Sequence, residues 1–165
     1  MNAPNPEQQR LDEHFLRRSF DVARRALTHG NHPFGAILVD EQHNLLIEAE
    51  NRYMPSRDAT AHAERLVATK ACTTLSPEVL AKATLYSSAE PCAMCAGAIY
   101  WAGIGRVVYG LGEQRLRVIT GDHPENPTLN LPCREVFKSG QRAIEVVGPL
   151  LEEEAAEPHD GVWTR

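Results

Sequence analysis

The sequence contains no apolar run close to the ~20 residues that a membrane-spanning helix requires. A signal peptide is also missing, because the first ten residues, MNAPNPEQQR, have neither a basic start nor an apolar core. These two absences predict a cytoplasmic protein with no membrane segment. Internal repeats, low-complexity segments and linkers are absent as well. The 165 residues therefore predict a single domain, spanning 1–165, with one sizeable core.

The sequence also lacks an excess of basic residues. The chain has 17 Lys and Arg against 22 Asp and Glu, which gives a formal net charge of −5. Proteins that bind nucleic acid usually carry a basic surface, which gains affinity by releasing counterions. The acidic total disfavours a polynucleotide partner, although a local basic patch remains compatible with it.

Cysteine is scarce, and its placement is informative. The four cysteines are Cys72, Cys92, Cys95 and Cys133. In a reducing cytosol they are poor candidates for structural disulfides. The C-x-x-C spacing of Cys92 and Cys95 therefore points to metal or redox chemistry.

The hydrophobic pattern predicts a helix, a hairpin, and then strands that alternate with helices. The predicted helices are 6–27, 61–71, 91–102 and 134–139, and the predicted strands are 34–40, 45–50, 83–88, 106–110 and 143–147. The segment 111–132 is rich in Gly, Pro and Asn, so we expect a long loop of the kind that often carries function. This order predicts an α/β sandwich with one mixed sheet between helices.

The cysteine pair directly follows Pro91, a residue suited to the first helical turn because its missing N–H would have no partner there. Cys92 and Cys95 would then share one face of that turn. Free backbone N–H groups and the helix dipole lower the pKa of thiols in this position. Such an environment suits a redox dithiol or two zinc ligands, and the C-x-x-C pair alone leaves both open.

A second motif lies upstream, where His62 and Glu64 form an H-x-E pair at the start of a predicted helix with Thr60 as its candidate N-cap. Alone, this pair could be a solvated helix face. Together with the two cysteines, His62 would complete three zinc ligands and leave the fourth position for water, as in catalytic zinc sites. The carboxylate of Glu64 could then take a proton from that water and pass it on.

The combination H-x-E…P-C-x-x-C is the signature of zinc nucleobase deaminases. On these residues the chain resembles the cytidine deaminase-like superfamily, in the branch of guanine, cytosine and tRNA adenosine deaminases. The resemblance spans about 33–110 and includes HPFGAILVD and EPCAMCAGAIYWA, the latter most similar to bacterial guanine deaminases. It implies a three-layer α/β/α sandwich with a mixed five-stranded sheet, one Zn²⁺ per chain, and a homodimer.

The resemblance also implies roles for single residues. Zinc would be bound by His62, Cys92 and Cys95. Glu64 would be the catalytic proton shuttle. The nucleobase would be contacted by Asn51, Phe34 and the backbone near Ala63.

After Gly110 the sequence departs from the guanine deaminase pattern. A GFDD-type segment, whose aspartate reads guanine in those enzymes, is replaced by GLGEQRLRVITGDHPENPTLNLP. Asp122 and Glu113 are the candidates to replace that aspartate. His159 and Trp163 are the candidates for an aromatic residue that covers the pocket.

The leading hypothesis is hydrolytic deamination of a free purine base or nucleoside, with guanine as the first candidate and ammonia as a product. One alternative is adenosine deamination in tRNA, which the acidic tail LLEEEAAEPHD disfavours. Deamination of cytosine or another pyrimidine is a further alternative. A zinc-stabilised binding module without activity would need a fourth protein ligand, for which Cys72 and Cys133 are the remaining thiols.

Overall fold

A mixed five-stranded sheet forms the centre of the molecule in the computed structural model, which describes residue 3 and residues 5–164. Its strands, in chain order, are β1 (Gly35–Val39), β2 (Leu45–Glu50), β3 (Thr84–Ala89), β4 (Arg106–Leu111) and β5 (Glu145–Val147). Their order across the sheet is β2-β1-β3-β4-β5. β1 is antiparallel to β2 and β3, whereas β3, β4 and β5 are parallel.

Helices cover both faces of this sheet. They are α1 (Pro6–Thr28), α2 (Ala63–Thr74), α3 (Pro77–Lys82), α4 (Ala93–Ala102), α5 (Glu113–Thr120), α6 (Cys133–Lys138) and α7 (Glu152–Ala156), followed by a 3₁₀ turn (Glu157–His159). α1 and α7 pack on one face, and α2, α4 and α6 pack together on the other. The predicted three-layer α/β/α sandwich with a mixed five-stranded sheet is confirmed.

The alternation of side chains along β1 divides the core between these two faces. Ile37 and Val39 pack with Phe20 of α1, whereas Ala36 and Leu38 pack on the side of α2 and α4. All five residues of β1 are buried, because both of its faces are covered and both of its edges are paired. This accounts for a continuous apolar run in the sequence.

The prediction of a loop over 111–132 was wrong for its first part, which forms α5. The helix has only eight residues, and its apolar residues do not all lie on the buried face, because Val118 is exposed. Tertiary contacts stabilise it instead: Leu116 is buried in the core, and Arg115 forms an ion pair with Glu153. The helices α3 and α7 were not predicted either, because six and five residues are too few to show a helical pattern in the sequence.

The helices that carry the two motifs begin later than predicted. His62, not Thr60, is the N-cap of α2, and the hydroxyl of Thr60 instead donates to Asp58. Likewise Cys92 is the N-cap of α4, so Pro91 lies just outside the first turn. Both motifs therefore present a metal-binding side chain from the cap position itself.

Across residue 3 and residues 5–164, no helix combines the length and the apolar character that a membrane crossing requires. A cytoplasmic location and a single domain over 1–165 stay predictions.

Candidate active site

Two helix starts bring His62, Cys92 and Cys95 together. α2 and α4 pack side by side on one face of the sheet, with His62 and Cys92 at their N-caps and Cys95 in the first turn of α4. Nδ1 of His62 lies 3.6 Å from Sγ of Cys92 and 3.6 Å from Sγ of Cys95. One imidazole nitrogen and two sulfur atoms thus face a common point.

These distances fit a zinc ion. With Zn–N near ~2.05 Å and Zn–S near ~2.3 Å, tetrahedral coordination separates a nitrogen from a sulfur ligand by about 3.6 Å. The three ligand atoms lie within 4.8 Å of one another, and theirs is the one such group found among the described residues. Neither Cys72, which is exposed, nor Cys133 belongs to it. The fourth ligand that a non-catalytic zinc module would need is therefore not supplied by either remaining thiol.

The two thiols differ in their acidity. A hydrogen bond from Cys95, assisted by His62, lowers the pKa of Cys92 to about 4 even though burial opposes the shift. The same hydrogen bond and burial raise the pKa of Cys95. One thiolate is thus ready for a cation, and the second thiol loses its proton when the cation binds.

Glu64 lies in the first turn of α2 and is only 5% exposed. Burial raises the pKa of its carboxyl group to about 7; the charge of His62 opposes this shift and that of Cys92 adds to it. A carboxyl group that titrates near neutral pH can both accept and return a proton there, as general acid–base catalysis requires.

His62, Glu64 and Cys92 line a cavity of about 520 Å³, a size typical of small-molecule sites. Its wall includes Phe34, Asn51, His62, Glu64, Cys92 and Glu113. The loop between α5 and α6 contributes a further stretch, 124–129. Ligand-binding groups from α2, α4 and α5 thus surround one space.

Asn51 and Phe34, the predicted contacts to the nucleobase, both lie in this wall. The backbone N–H of Asn51 donates to the carbonyl of Phe34 at 3.0 Å, and its Oδ1 accepts from the backbone N–H of Tyr53 at 3.0 Å. The side-chain NH₂ of Asn51 has no acceptor among the described residues. Ala63 is fully buried and does not line the cavity. As the first residue of α2, however, its N–H lacks an intrahelical acceptor, which suits a backbone donor.

Of the two acidic candidates after Gly110, the structure brings only Glu113 to the cavity; Asp122 does not line it. The candidates for an aromatic cover lie behind the wall. The ring of Trp163 packs at a tilt against that of His32, with centroids 4.5 Å apart, and the centroid of the His159 ring lies 5.2 Å from that of Phe34. His159 and Trp163 therefore support two residues of the wall without lining it.

Glu90 was not predicted as a site residue. It lines the cavity, and its carboxylate accepts from the backbone N–H of Glu113 at 3.1 Å and from that of Cys133 at 2.9 Å. Glu90, which lies just before the cysteine pair, thus holds the first residues of α5 and α6 in place through hydrogen bonds. Its position directly before P-C-x-x-C is the only sequence signal that could have identified it.

Comparison with known proteins agrees with this geometry. Residues 9–111 match the cytidine and deoxycytidylate deaminase zinc-binding region. The chain belongs to this family. It is a zinc-dependent nucleobase deaminase, a hydrolase that acts on C–N bonds, with the His/Cys/Cys zinc site typical of the family.

Individual relatives differ in substrate. The chain is 43% identical to a probable cytosine deaminase of Schizosaccharomyces pombe. The similarity extends over 149 residues, which is 90% of each protein. It is 42% identical over 98 residues to the guanine deaminase of Bacillus subtilis, covering 59% of this chain and 62% of that enzyme. A solved structure from a study of A-to-I editing by tRNA:A34 deaminases superposes with a TM-score of 0.68 at 34% identity, covering 88% and 99% of the two chains.

Proposed function

We propose that this deaminase converts free cytosine and water to uracil and ammonia. The supporting observation is the 43% identity with a probable cytosine deaminase across 90% of both chains. Similarity to guanine deaminase is nearly as high, at 42% identity, but covers only 59% of this chain. The comparisons therefore favour the pyrimidine alternative over guanine, the first candidate from sequence.

We assign the reaction steps to this chain's own residues. His62, Cys92 and Cys95 would hold one zinc ion, which when bound lowers the pKa of a water molecule to about 7. Glu64 accepts one proton from the water molecule whose oxygen attacks C4 of the ring, and it donates this proton to N3. It then accepts the remaining proton of the same oxygen as the C4 carbonyl forms and donates it to the amino group, which leaves as ammonia.

The predicted base contacts supply complementary groups. The NH₂ of Asn51 and the N–H of Ala63 are donors suited to the carbonyl oxygen at C2. The ring of Phe34 can pack against the face of the base. A single pyrimidine ring fits within the cavity of about 520 Å³.

A substrate panel tests this proposal. The zinc-loaded protein would be assayed for ammonia release with cytosine, cytidine, guanine and a tRNA anticodon stem-loop that contains adenosine. We expect cytosine to give the highest kcat/KM. Faster turnover of guanine, with cytosine inert, would restore the purine hypothesis.

The tRNA alternative is supported by the similarity to tRNA:A34 deaminases, but an arginine that could contact tRNA phosphates is already paired within the protein. Arg115 forms an ion pair with Glu153 at 2.7 Å and lies near Glu152 at 3.8 Å. These acidic residues belong to the tail that already disfavoured tRNA. A gel-shift titration with tRNA should therefore detect no salt-sensitive binding.

We also propose a homodimer, as the resemblance implies. Trp101 on α4 is 85% exposed, which is unusual for so large an apolar side chain. Sedimentation velocity should give a dimer for the wild-type protein and a shift towards monomer for Trp101→Glu.

A further inference from the structure

Glu113 is a buried carboxyl group that the reaction steps above do not use. It is the first residue of α5, it is 8% exposed, and it lines the same cavity as Glu64 and Cys92. Its backbone N–H is bound to Glu90, but its carboxylate receives no hydrogen bond from any described residue. A carboxylate held in a protein without a donor is energetically costly, so such a group calls for an external partner.

The other acidic side chains of the cavity outside the zinc site are already engaged. Glu90 accepts from two backbone N–H groups. Asp58 accepts from the N–H and the hydroxyl of Thr60, at 2.9 and 2.7 Å. Glu125 pairs with Nε2 of His32 at 3.0 Å. Glu113 is therefore the acidic group of this wall that is left to contact a ligand.

Its backbone is held firmly from two sides. The N–H of Glu113 donates to Glu90 at 3.1 Å, and the N–H of the preceding Gly112 donates to Oε2 of Glu152 at 2.9 Å. One turn later, Leu116 anchors α5 in the core. None of these contacts involves the side chain of Glu113, so replacing that side chain should leave α5 in place.

The surroundings of Glu113 favour a ligand that donates a hydrogen bond. Burial, with the nearby charges of Glu90, Cys92 and Glu64, raises the pKa of its carboxyl group to about 7. A carboxylate only accepts hydrogen bonds, so an N–H group from a ligand would stabilise the charged form of Glu113 against this burial.

Free cytosine has two kinds of N–H donor. The amino group at C4 is the leaving group and must lie at the zinc site near Glu64. The carbonyl oxygen at C2 is an acceptor and suits Asn51. The remaining donor is N1–H, which lies across the ring from C4, and in cytidine N1 carries the ribose instead.

We infer that Glu113 accepts a hydrogen bond from N1–H of the substrate and thereby selects the free base over its nucleoside. This assignment rests on the proposed cytosine deaminase function. It makes Glu113 the residue that determines specificity on the side of the ring opposite the reacting carbon.

The test compares cytosine with 1-methylcytosine, which keeps the reacting edge and has a methyl group in place of the N1 proton. In the zinc-loaded wild type we expect cytosine to be strongly preferred. Glu113→Ala should lower kcat/KM for cytosine by about 10- to 100-fold, mainly through KM, as expected for loss of a hydrogen bond to a charged group. The same variant should turn over 1-methylcytosine at least as well as the wild type does. Glu113→Gln should give intermediate values for cytosine, because its amide oxygen still accepts.

Glu135 offers a matched control, since it is also a first-turn glutamate but lies on α6, exposed and outside the cavity. Glu135→Ala should keep the wild-type preference. If Glu113→Ala loses the same factor in kcat/KM for cytosine and for 1-methylcytosine, the role of Glu113 is overturned, while the proposed cytosine deaminase function still stands. If the wild type does not deaminate cytosine, the proposed function fails, and this assignment fails with it. If Glu113→Ala does not fold, the role of Glu113 is still tested by the preference of the wild type for cytosine over 1-methylcytosine and by the kcat/KM of Glu113→Gln for both substrates.

Discussion

Arg106 and Asp12 form a doubly hydrogen-bonded ion pair that fixes α1 to the start of β4. Nη1 lies 2.7 Å from Oδ1 and Nη2 lies 2.7 Å from Oδ2. The two side chains are only 15% and 4% exposed, and the hydroxyl of Tyr86 donates to the same carboxylate at 2.9 Å. Although burial opposes it, the guanidinium holds the pKa of Asp12 below its ordinary value. The pair thus connects one helical layer to the centre of the sheet.

Removing one partner of this pair should destabilise the fold. Asp12→Ala leaves the mostly buried guanidinium of Arg106 with only the exposed carboxylate of Glu145, 3.0 Å from its Nε, as a partner. Breaking a buried ion pair in this way typically costs about 3–5 kcal/mol. Urea unfolding followed by circular dichroism would measure the loss. The exposed pair of Arg17 and Glu154, with side chains 50% and 40% exposed, serves as the control. Glu154→Ala should cost no more than about 1 kcal/mol, and a similar loss for both variants would contradict the argument.

The zinc site could be predicted from the sequence because each half of it is local. His62 and Glu64 lie at one helix start, Cys92 and Cys95 at another, and short spacings fix which side chains share a face. The sheet was predictable for a similar reason, since each strand contains a short stretch of neighbouring apolar residues, such as GAILV in β1.

The rest of the cavity could not be predicted, because it depends on contacts between distant segments. Glu113 reaches it only because α5 forms, and α5 is held by Glu90 and Glu152, which lie 23 and 40 residues away from their partners along the chain. In sequence, this helix resembles a polar loop. His159 and Trp163 likewise find their places through contacts with Phe34 and His32.

Loss of any one of the three proposed ligands should release zinc. Cys92→Ser removes a thiolate that the other two ligands cannot replace, so metal analysis after gel filtration should find far less than the wild-type zinc content. Cys72→Ser is the matched control, because Cys72 is exposed and outside the group. Full zinc retention in Cys92→Ser would remove Cys92 from the ligand set.

Replacing Glu64 should separate metal binding from catalysis. Glu64→Gln keeps the size of the side chain but cannot carry the proton, so we expect kcat to fall by at least about 10²–10⁴-fold. Zinc content should stay at the wild-type level, since Glu64 is outside the ligand group. The measurement is ammonia release from the preferred substrate together with metal analysis of the same sample. Near-normal turnover in this variant would exclude Glu64 as the proton shuttle.

His159 should make the fold sensitive to mild acid. Burial, with a contribution from the charge of His32, lowers the pKa of His159 to about 4, against 6.5 for an unperturbed histidine. Its Nδ1 accepts from Nε1 of Trp163 at 3.0 Å, a bond that protonation of Nδ1 would break. Below pH 6.5 the unfolded chain therefore binds a proton that the folded chain does not. The free energy of unfolding should fall as pH drops from 6.5 towards 4, by about 3 kcal/mol in total.

The matched variant is His159→Gln, which does not titrate in this range and can still accept from Trp163 through its amide oxygen. Urea unfolding would be followed by the fluorescence of Trp163 in a Trp101→Phe background, which removes the exposed second tryptophan. Both proteins should be compared at equal zinc content, because acid also weakens metal binding by protonating the ligands. Acid loss of zinc affects the two proteins alike, so the difference between their pH profiles isolates His159. Parallel profiles from pH 7 to 4.5 would contradict the prediction, and a flatter profile for His159→Gln would support it.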